Sequence, residues 1–210
     1  MAGKIILVTG GARSGKSSFA EKLAAAMGSS VGYIATAQIY DEEMRYRVKL
    51  HRERRPSAWQ TWEAPFEADK IIAEAAKEHK VLLFDCITLY LSNHLCRILY
   101  DELTDERAYQ IVEEQIGALV KAAQAAAAQR TTTIFVTNEV GAGIVPENKL
   151  SRLYRDASGL SNQRLAAAAD DVYAVLKFFY ILHLEGLENA HHKLQQLVYL
   201  IFRQVQLFFY

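Results

Sequence analysis

The alternation of apolar runs and helical stretches along this chain predicts an α/β fold, with a largely parallel central sheet flanked by helices. Three observations carry that expectation. Short apolar runs are separated by longer stretches of helical character through residues 1–176 of the 210, the pattern of strands joined by helical crossovers. A glycine-rich loop, Gly10-Gly11-Ala12-Arg13-Ser14-Gly15-Lys16-Ser17, stands between the first apolar run and the first helical stretch. A further run, Val81-Leu82-Leu83-Phe84, ends in the carboxylate of Asp85, and parallel sheets bind ligands beyond such strand ends.

In order, Lys4–Thr9 reads as a buried strand and Phe19–Ala24 as helix. Val31–Ala35 is a second strand. Asp41–Arg55 is helical, with Asp41 as N-cap and Pro56 closing it. Phe66–His79 is helix, Val81–Asp85 strand, and Ile87–Leu99 and Glu106–Gln129 helices. The alanine-rich part of the last, Ala122–Gln129, reflects high helix propensity. Thr133–Thr137 is a strand followed by the loop Asn138–Gly143. Lys149–Ala169 is helix with a break expected at Gly159, and Asp171–Leu176 is a last strand.

The loop from Gly10 to Ser17 fits the phosphate-binding pattern of glycine, any four residues, then Gly-Lys-Ser. Glycines let the backbone curl so that several N–H groups face a β-phosphate, and a helix N-terminus adds a favourable dipole. Lys16 would reach the β- and γ-phosphates, and the Ser17 hydroxyl would hold Mg²⁺. Asp85 is read either as the acid that orients Mg²⁺ or its water, or as a strand-end carboxylate or helix cap.

Met44–Arg55 carries six Lys/Arg and one acid, Glu53. Arg47 and His51 are four apart and share a helix face, with Arg54 and Arg55 one turn on. One reading is a solvated basic face with an incidental histidine. The other is a nucleotide site in which arginines bind a triphosphate or leaving pyrophosphate and keep His51 neutral and nucleophilic. Glu63, in Thr61-Trp62-Glu63-Ala64-Pro65, is either an exposed acid or an acceptor for guanine N1–H and N2–H donors.

Acidic and basic residues balance at 24 each, so bulk charge gives no argument for a nucleic-acid partner or an anionic membrane. Two cysteines, Cys86 and Cys96, suggest no disulfide framework and fit a reducing cytoplasm. The N-terminus enters a strand with no signal peptide expected, and no apolar run reaches the length of a membrane span.

An ordered set of segments resembles one family, the bifunctional adenosylcobinamide kinase / adenosylcobinamide-phosphate guanylyltransferases of cobalamin synthesis. The segments are Thr9–Ser17, Tyr33-Ile34-Ala35-Thr36-Ala37, Asp41 with Glu43-Met44, Arg47-Val48, His51, Arg55-Pro56 and Trp59–Glu63. They continue with Asp85-Cys86-Ile87-Thr88-Leu89, Asn93, Thr137–Pro146, Arg155-Asp156, Asn162-Gln163 and Ala169-Asp170. The resemblance implies a RecA-like P-loop NTPase fold and two reactions. ATP or GTP phosphorylates adenosylcobinamide on its aminopropanol hydroxyl, and GMP from GTP is then transferred to that phosphate through a guanylyl-histidine. By position the histidine is His51. The resemblance also implies nucleotide contacts at Gly10–Ser17, Ala35, Thr36, Ala37, Arg52, Glu53, Arg54, Arg55, Glu63 and Asp85, with Mg²⁺ at Ser17 and Asp85. It further implies a homotrimer whose active site lies near a subunit interface. Two alternatives remain: a kinase of another small alcohol or nucleoside without nucleotidyl transfer, and a non-catalytic nucleotide-binding module.

Residues 177–210 depart from that family, whose members end soon after the last strand. This aromatic-rich tail reads as a frameshifted or foreign terminus, an extra helix pair on the core, or an interfacial membrane segment.

Overall fold

The computed structural model describes residues 2–28, 30–98, 102–176 and 180–185. Strands β1 (Ile5–Gly10), β2 (Val31–Ala35), β3 (Gln60–Glu63), β4 (Val81–Asp85), β5 (Thr132–Asn138), β6 (Asp171–Leu176) and β7 (Tyr180–Glu185) form one sheet in the order β3-β2-β4-β5-β1-β6-β7. The first six are parallel, and β7 runs antiparallel to β6. Helices α1 (Lys16–Met27), α2 (Glu42–Arg54), α3 (Ala68–Glu78), α4 (Ile87–Leu95), α5 (Asp105–Ile111), α6 (Gly117–Ala128) and α7 (Lys149–Ala168) make the crossovers.

Strands β1, β2 and β4 are mostly apolar because both faces of the sheet are covered. In β1, Ile5 and Leu7 pack with α3, α4, α6 and α7, while Ile6 and Val8 pack with Ala20 and Ala24 of α1 on the other face. The polar Lys4 holds the entry to β1: its Nζ donates to Asp171 Oδ2 at 2.8 Å, and the Ile5 N–H donates to Asp170 Oδ2 at 2.8 Å.

Three local departures have physical causes. The stretch expected as one helix over Glu106–Gln129 contains a π-helical segment, Val112–Ile116, between α5 and α6. That wider turn keeps Val112, Ile116 and Leu119 all buried. No break occurs at Gly159. Helix α7 continues through it, and a Cβ there would meet nothing within 4 Å. Asn138, expected in a loop, is the last residue of β5 and pairs in register with Gly10.

In the aromatic-rich tail, residues 180–185 extend the sheet as a strand rather than adding a helix. The remainder of residues 177–210 lies outside the described residues.

Candidate functional site

The carboxyl ends of β3, β2, β4, β5 and β1 form one row, and the predicted site residues sit along it. Glu63, Ala35 and Asp85 are in register across β3, β2 and β4. Asp85 then lies opposite Val136 of β5, and Asn138 lies opposite Gly10. From Glu63 to Gly10 is four inter-strand spacings, on the order of 19 Å.

At the β1 end, Gly10–Gly15 turns directly into α1. Gly15 has φ 93°, in the left-handed region that glycine adopts freely. The Ser14 N–H donates to Gly11 O at 3.2 Å and tightens the turn. Gly10 has no space for a side chain, since a Cβ would fall 2.6 Å from both Ser14 Oγ and Val175 O. Ser14 is buried, and its Oγ has no hydrogen-bond partner among the described residues. Lys16 is the first residue of α1 and is buried at 8 % exposure, its Nζ donating to Gly11 O at 3.1 Å. Burial lowers its pKa, opposed by the nearby Cys86 and Asp85. Ala12 and Arg13 are exposed on the outer bend.

Helix α2 brings the histidine to the same row. Its N-cap is Asp41, whose Oδ1 accepts from the Met44 N–H at 2.7 Å. His51 lies in its last turn with Nδ1 3.9 Å from Asp85 Oδ2. The Arg54 Nη2 sits 3.3 Å from the same His51 nitrogen and donates to Glu21 Oε1 of α1 at 3.1 Å. Asp85 also accepts from the Tyr33 hydroxyl at 2.9 Å, and the Asp85–Cys86 peptide bond is cis.

The basic cluster divides by partner. Arg52 Nη2 donates to Glu63 Oε1 at 2.5 Å, so the candidate guanine acceptor is paired with a guanidinium. Arg54 faces His51. Arg55 lies over the Tyr33 ring, 3.7 Å from its centroid, with Nε donating to His51 O at 3.0 Å. Glu53 points away from this network, its Oε1 3.7 Å from Lys49 Nζ.

The Ala35-Thr36-Ala37 segment offers backbone and small surfaces. The fully buried Thr36 hydroxyl accepts from the Cys86 N–H at 2.8 Å and donates to Cys86 O at 2.9 Å, while Thr36 O accepts from Asn93 Nδ2 at 2.8 Å. Thr36 therefore clasps the β2 and β4 ends together.

The sequence points to oxygen donors at Ser17 and Asp85 for Mg²⁺. Among the described residues no group of three His, Cys, Asp or Glu side chains could enclose a metal. A sparse hard-oxygen set suits Mg²⁺, which keeps waters and substrate phosphate oxygens as its other ligands, so the residues present fit the ion.

The sequence places Asn138 and Glu139 at the ligand-binding ends of the strands without a specific role, and gives none to Tyr33, Glu21 or Thr88. Asn138 Nδ2 donates to Thr88 Oγ1 at 2.7 Å, and the Glu139 N–H donates to Gly10 O at 3.0 Å, which fixes the β5 loop against the phosphate loop. Tyr33, Thr88, Asn138 and Glu139 stand in the family-like segments, and Asn138 and Glu139 also follow a predicted strand end. A cavity of about 570 Å³ opens elsewhere, between Tyr109, the Gly141–Val145 loop and α7 residues including Arg155 and Gln163, and none of the predicted site residues lines it.

Comparison with known proteins identifies the family and the fold. Residues 6–178 match the family described as cobinamide kinase / cobinamide phosphate guanyltransferase. The bifunctional adenosylcobalamin biosynthesis protein CobU of Escherichia coli K12 is 45 % identical over 174 residues, covering 82 % of this chain and 95 % of that protein. Its Salmonella typhimurium namesake is 43 % identical over 181 residues, with 82 % and 95 % covered. Among solved structures, an ATPase of a bacterial type III secretion system aligns with TM-score 0.54 at 12 % identity, over 91 % of this chain and 58 % of that one, a likeness of fold alone. The six-stranded parallel sheet with its phosphate loop is thus the expected RecA-like P-loop fold. The chain belongs to the cobinamide kinase / cobinamide phosphate guanyltransferase family.

Proposed function

We propose that this enzyme phosphorylates adenosylcobinamide with ATP or GTP and then transfers GMP from GTP, through guanylyl-His51, to the new phosphate, releasing adenosylcobinamide-GDP and pyrophosphate. The observation that carries the reading is the approach of His51 to within 3.9 Å of Asp85, midway along the row between Glu63 and the phosphate loop. A GTP laid along that row has its base toward Glu63, its β- and γ-phosphates in the Gly10–Ser17 turn, and its α-phosphate under His51.

In the transfer, an imidazole lone pair of His51 bonds to the α-phosphorus and the bond to the bridging oxygen of pyrophosphate breaks. A phosphate oxygen of the corrinoid then displaces the imidazole, which splits one displacement into two. Lys16 and the loop N–H groups hold the β- and γ-phosphates, while Arg54 faces the reacting imidazole. Mg²⁺ held at Ser17 and Asp85 would neutralise charge on the phosphate oxygens. Glu63 would accept from the guanine edge once Arg52 shifts, and Ala35 to Ala37 would line the nucleotide.

The test uses GTP labelled at the α-phosphate. The expected product is a protein-bound label that is acid-labile, alkali-stable and missing from His51→Ala. Wild-type protein that takes up no label would overturn the histidine step. We also propose a cytoplasmic homotrimer on the family resemblance. Light scattering that returns a chain mass other than three would reject the trimer.

A further inference from the structure

We propose that Tyr33 and Arg55 are positioning residues that hold the His51 turn of α2 against the Asp85 end of β4, so that Arg55 acts on the chain's own backbone rather than on nucleotide phosphates. The inference rests on the reading of His51 as the guanylyl acceptor and adds what places it.

Helix α2 needs such a device. None of its described side chains is fully buried, so hydrophobic packing, the usual source of helix docking, contributes little. What joins its last turn to the body is polar: Arg54 to Glu21, Arg52 to Glu63, and Arg55. The first two pairs include half-exposed arginines, and exposed ion pairs are weak.

Arg55 is held differently. Its guanidinium carbon lies over the Tyr33 ring, 3.7 Å from the centroid. One edge donates through Nε to His51 O at 3.0 Å, and Nη1 reaches Thr61 Oγ1 at 3.4 Å. One planar group therefore touches β2, β3 and α2 at once. His51 O is among the last carbonyls of the helix, which lack intrahelical donors. Tyr33 is itself fixed: it is 4 % exposed and its hydroxyl donates to Asp85 Oδ2 at 2.9 Å. The chain of contacts runs from His51 O through Arg55 and the Tyr33 ring and hydroxyl to Asp85, the carboxylate that His51 faces. Lysine cannot both stack on a ring and donate from a rigid fork.

The test combines hydrogen exchange of the backbone amides of residues 48–55 with single-turnover guanylylation. Arg55→Lys and Tyr33→Leu should speed exchange there about tenfold. They should also slow label transfer to His51 about 10- to 100-fold, the scale of a misplaced reacting group, with KM for GTP within about threefold of wild type. Tyr33→Phe keeps the ring under Arg55 but removes the hydroxyl bond to Asp85, so exchange in residues 48–55 should rise above wild type but less than in Tyr33→Leu. A raised KM with unchanged exchange in Arg55→Lys would make Arg55 a nucleotide contact and overturn the proposal. So would wild-type exchange and transfer in that variant. If Tyr33→Leu fails to fold, Arg55→Lys decides alone. If the wild-type chain never labels His51, the functional reading fails while the exchange measurement still tests the strut.

Discussion

Lys16 and Cys86 show how burial sets chemistry one residue at a time. Lys16 is buried at the start of α1, where burial lowers its pKa against the opposing pull of Cys86 and Asp85, and its Nζ donates to Gly11 O. Removing it by Lys16→Ala should lower both phosphoryl transfer and histidine labelling by about 100-fold or more, the scale of a lost transition-state donor. Retained turnover of either reaction would place the triphosphate elsewhere. The Cys86 thiol stands next to Asp85 but is inert. Burial first, and then the Asp85 carboxylate, push its pKa up to about 11, and the thiolate is the reactive form. Cys96 is exposed. Brief iodoacetamide treatment at neutral pH should therefore modify Cys96 alone, and peptide mass spectrometry should find Cys86 carboxamidomethylated only after unfolding.

Among the elements, α4 carries a pH-dependent weakness. His94 packs edge-on against Phe66 and Tyr90, and its Nε2 has no partner among the described residues. Burial, then the Arg97 charge, lower its pKa below 6.5. The unfolded chain therefore binds a proton below pH 6.5 that the folded chain refuses, and stability falls as pH falls through that range. Urea midpoints between pH 7 and 5.5 should drop more steeply for wild type than for His94→Gln, and parallel curves would assign the acid limb to other groups. Elements like this one were largely legible beforehand. β2, β4 and β6 have the bounds that their apolar runs suggest, and α2 begins at the Asp41 cap. β3 was not, because Gln60–Glu63 is a polar edge strand with mostly exposed residues and no apolar run. The π segment left no trace either, since it changes the phase of buried positions by one residue inside an otherwise helical stretch. The site divides along the same line. The phosphate loop is readable because its residue types and spacing form a local pattern, whereas the residues alone leave His51 and Asp85 each with two readings that only the family resemblance narrows. The Tyr33–Arg55 contact joins residues on different elements, and no periodicity records it.

For the molecule as a whole, the question is how far the site depends on the sheet's far side. The candidate site occupies the β3-β2-β4-β5-β1 ends, whereas β7 is joined to the sheet only through β6. β6 matters directly: Val175 O closes the space over Gly10, and Lys4 and Ile5 bind Asp171 and Asp170 at its start. β7 pairs with β6 from Asp171↔Glu185 to Leu176↔Tyr180 and covers its outer edge. Ending the chain after Leu176 would leave β6 as an unpaired edge, prone to pairing with other chains. We expect that truncation to lower stability by about 1–3 kcal/mol and to promote association, while guanylyl-His51 forms at a rate within about threefold of the full chain. Urea unfolding, light scattering and α-labelled GTP would read the three effects. A truncated chain that folds with unchanged stability but no longer labels His51 would mean that the residues beyond 176 contribute to the site itself, and the separation of catalytic row from distal edge would be wrong.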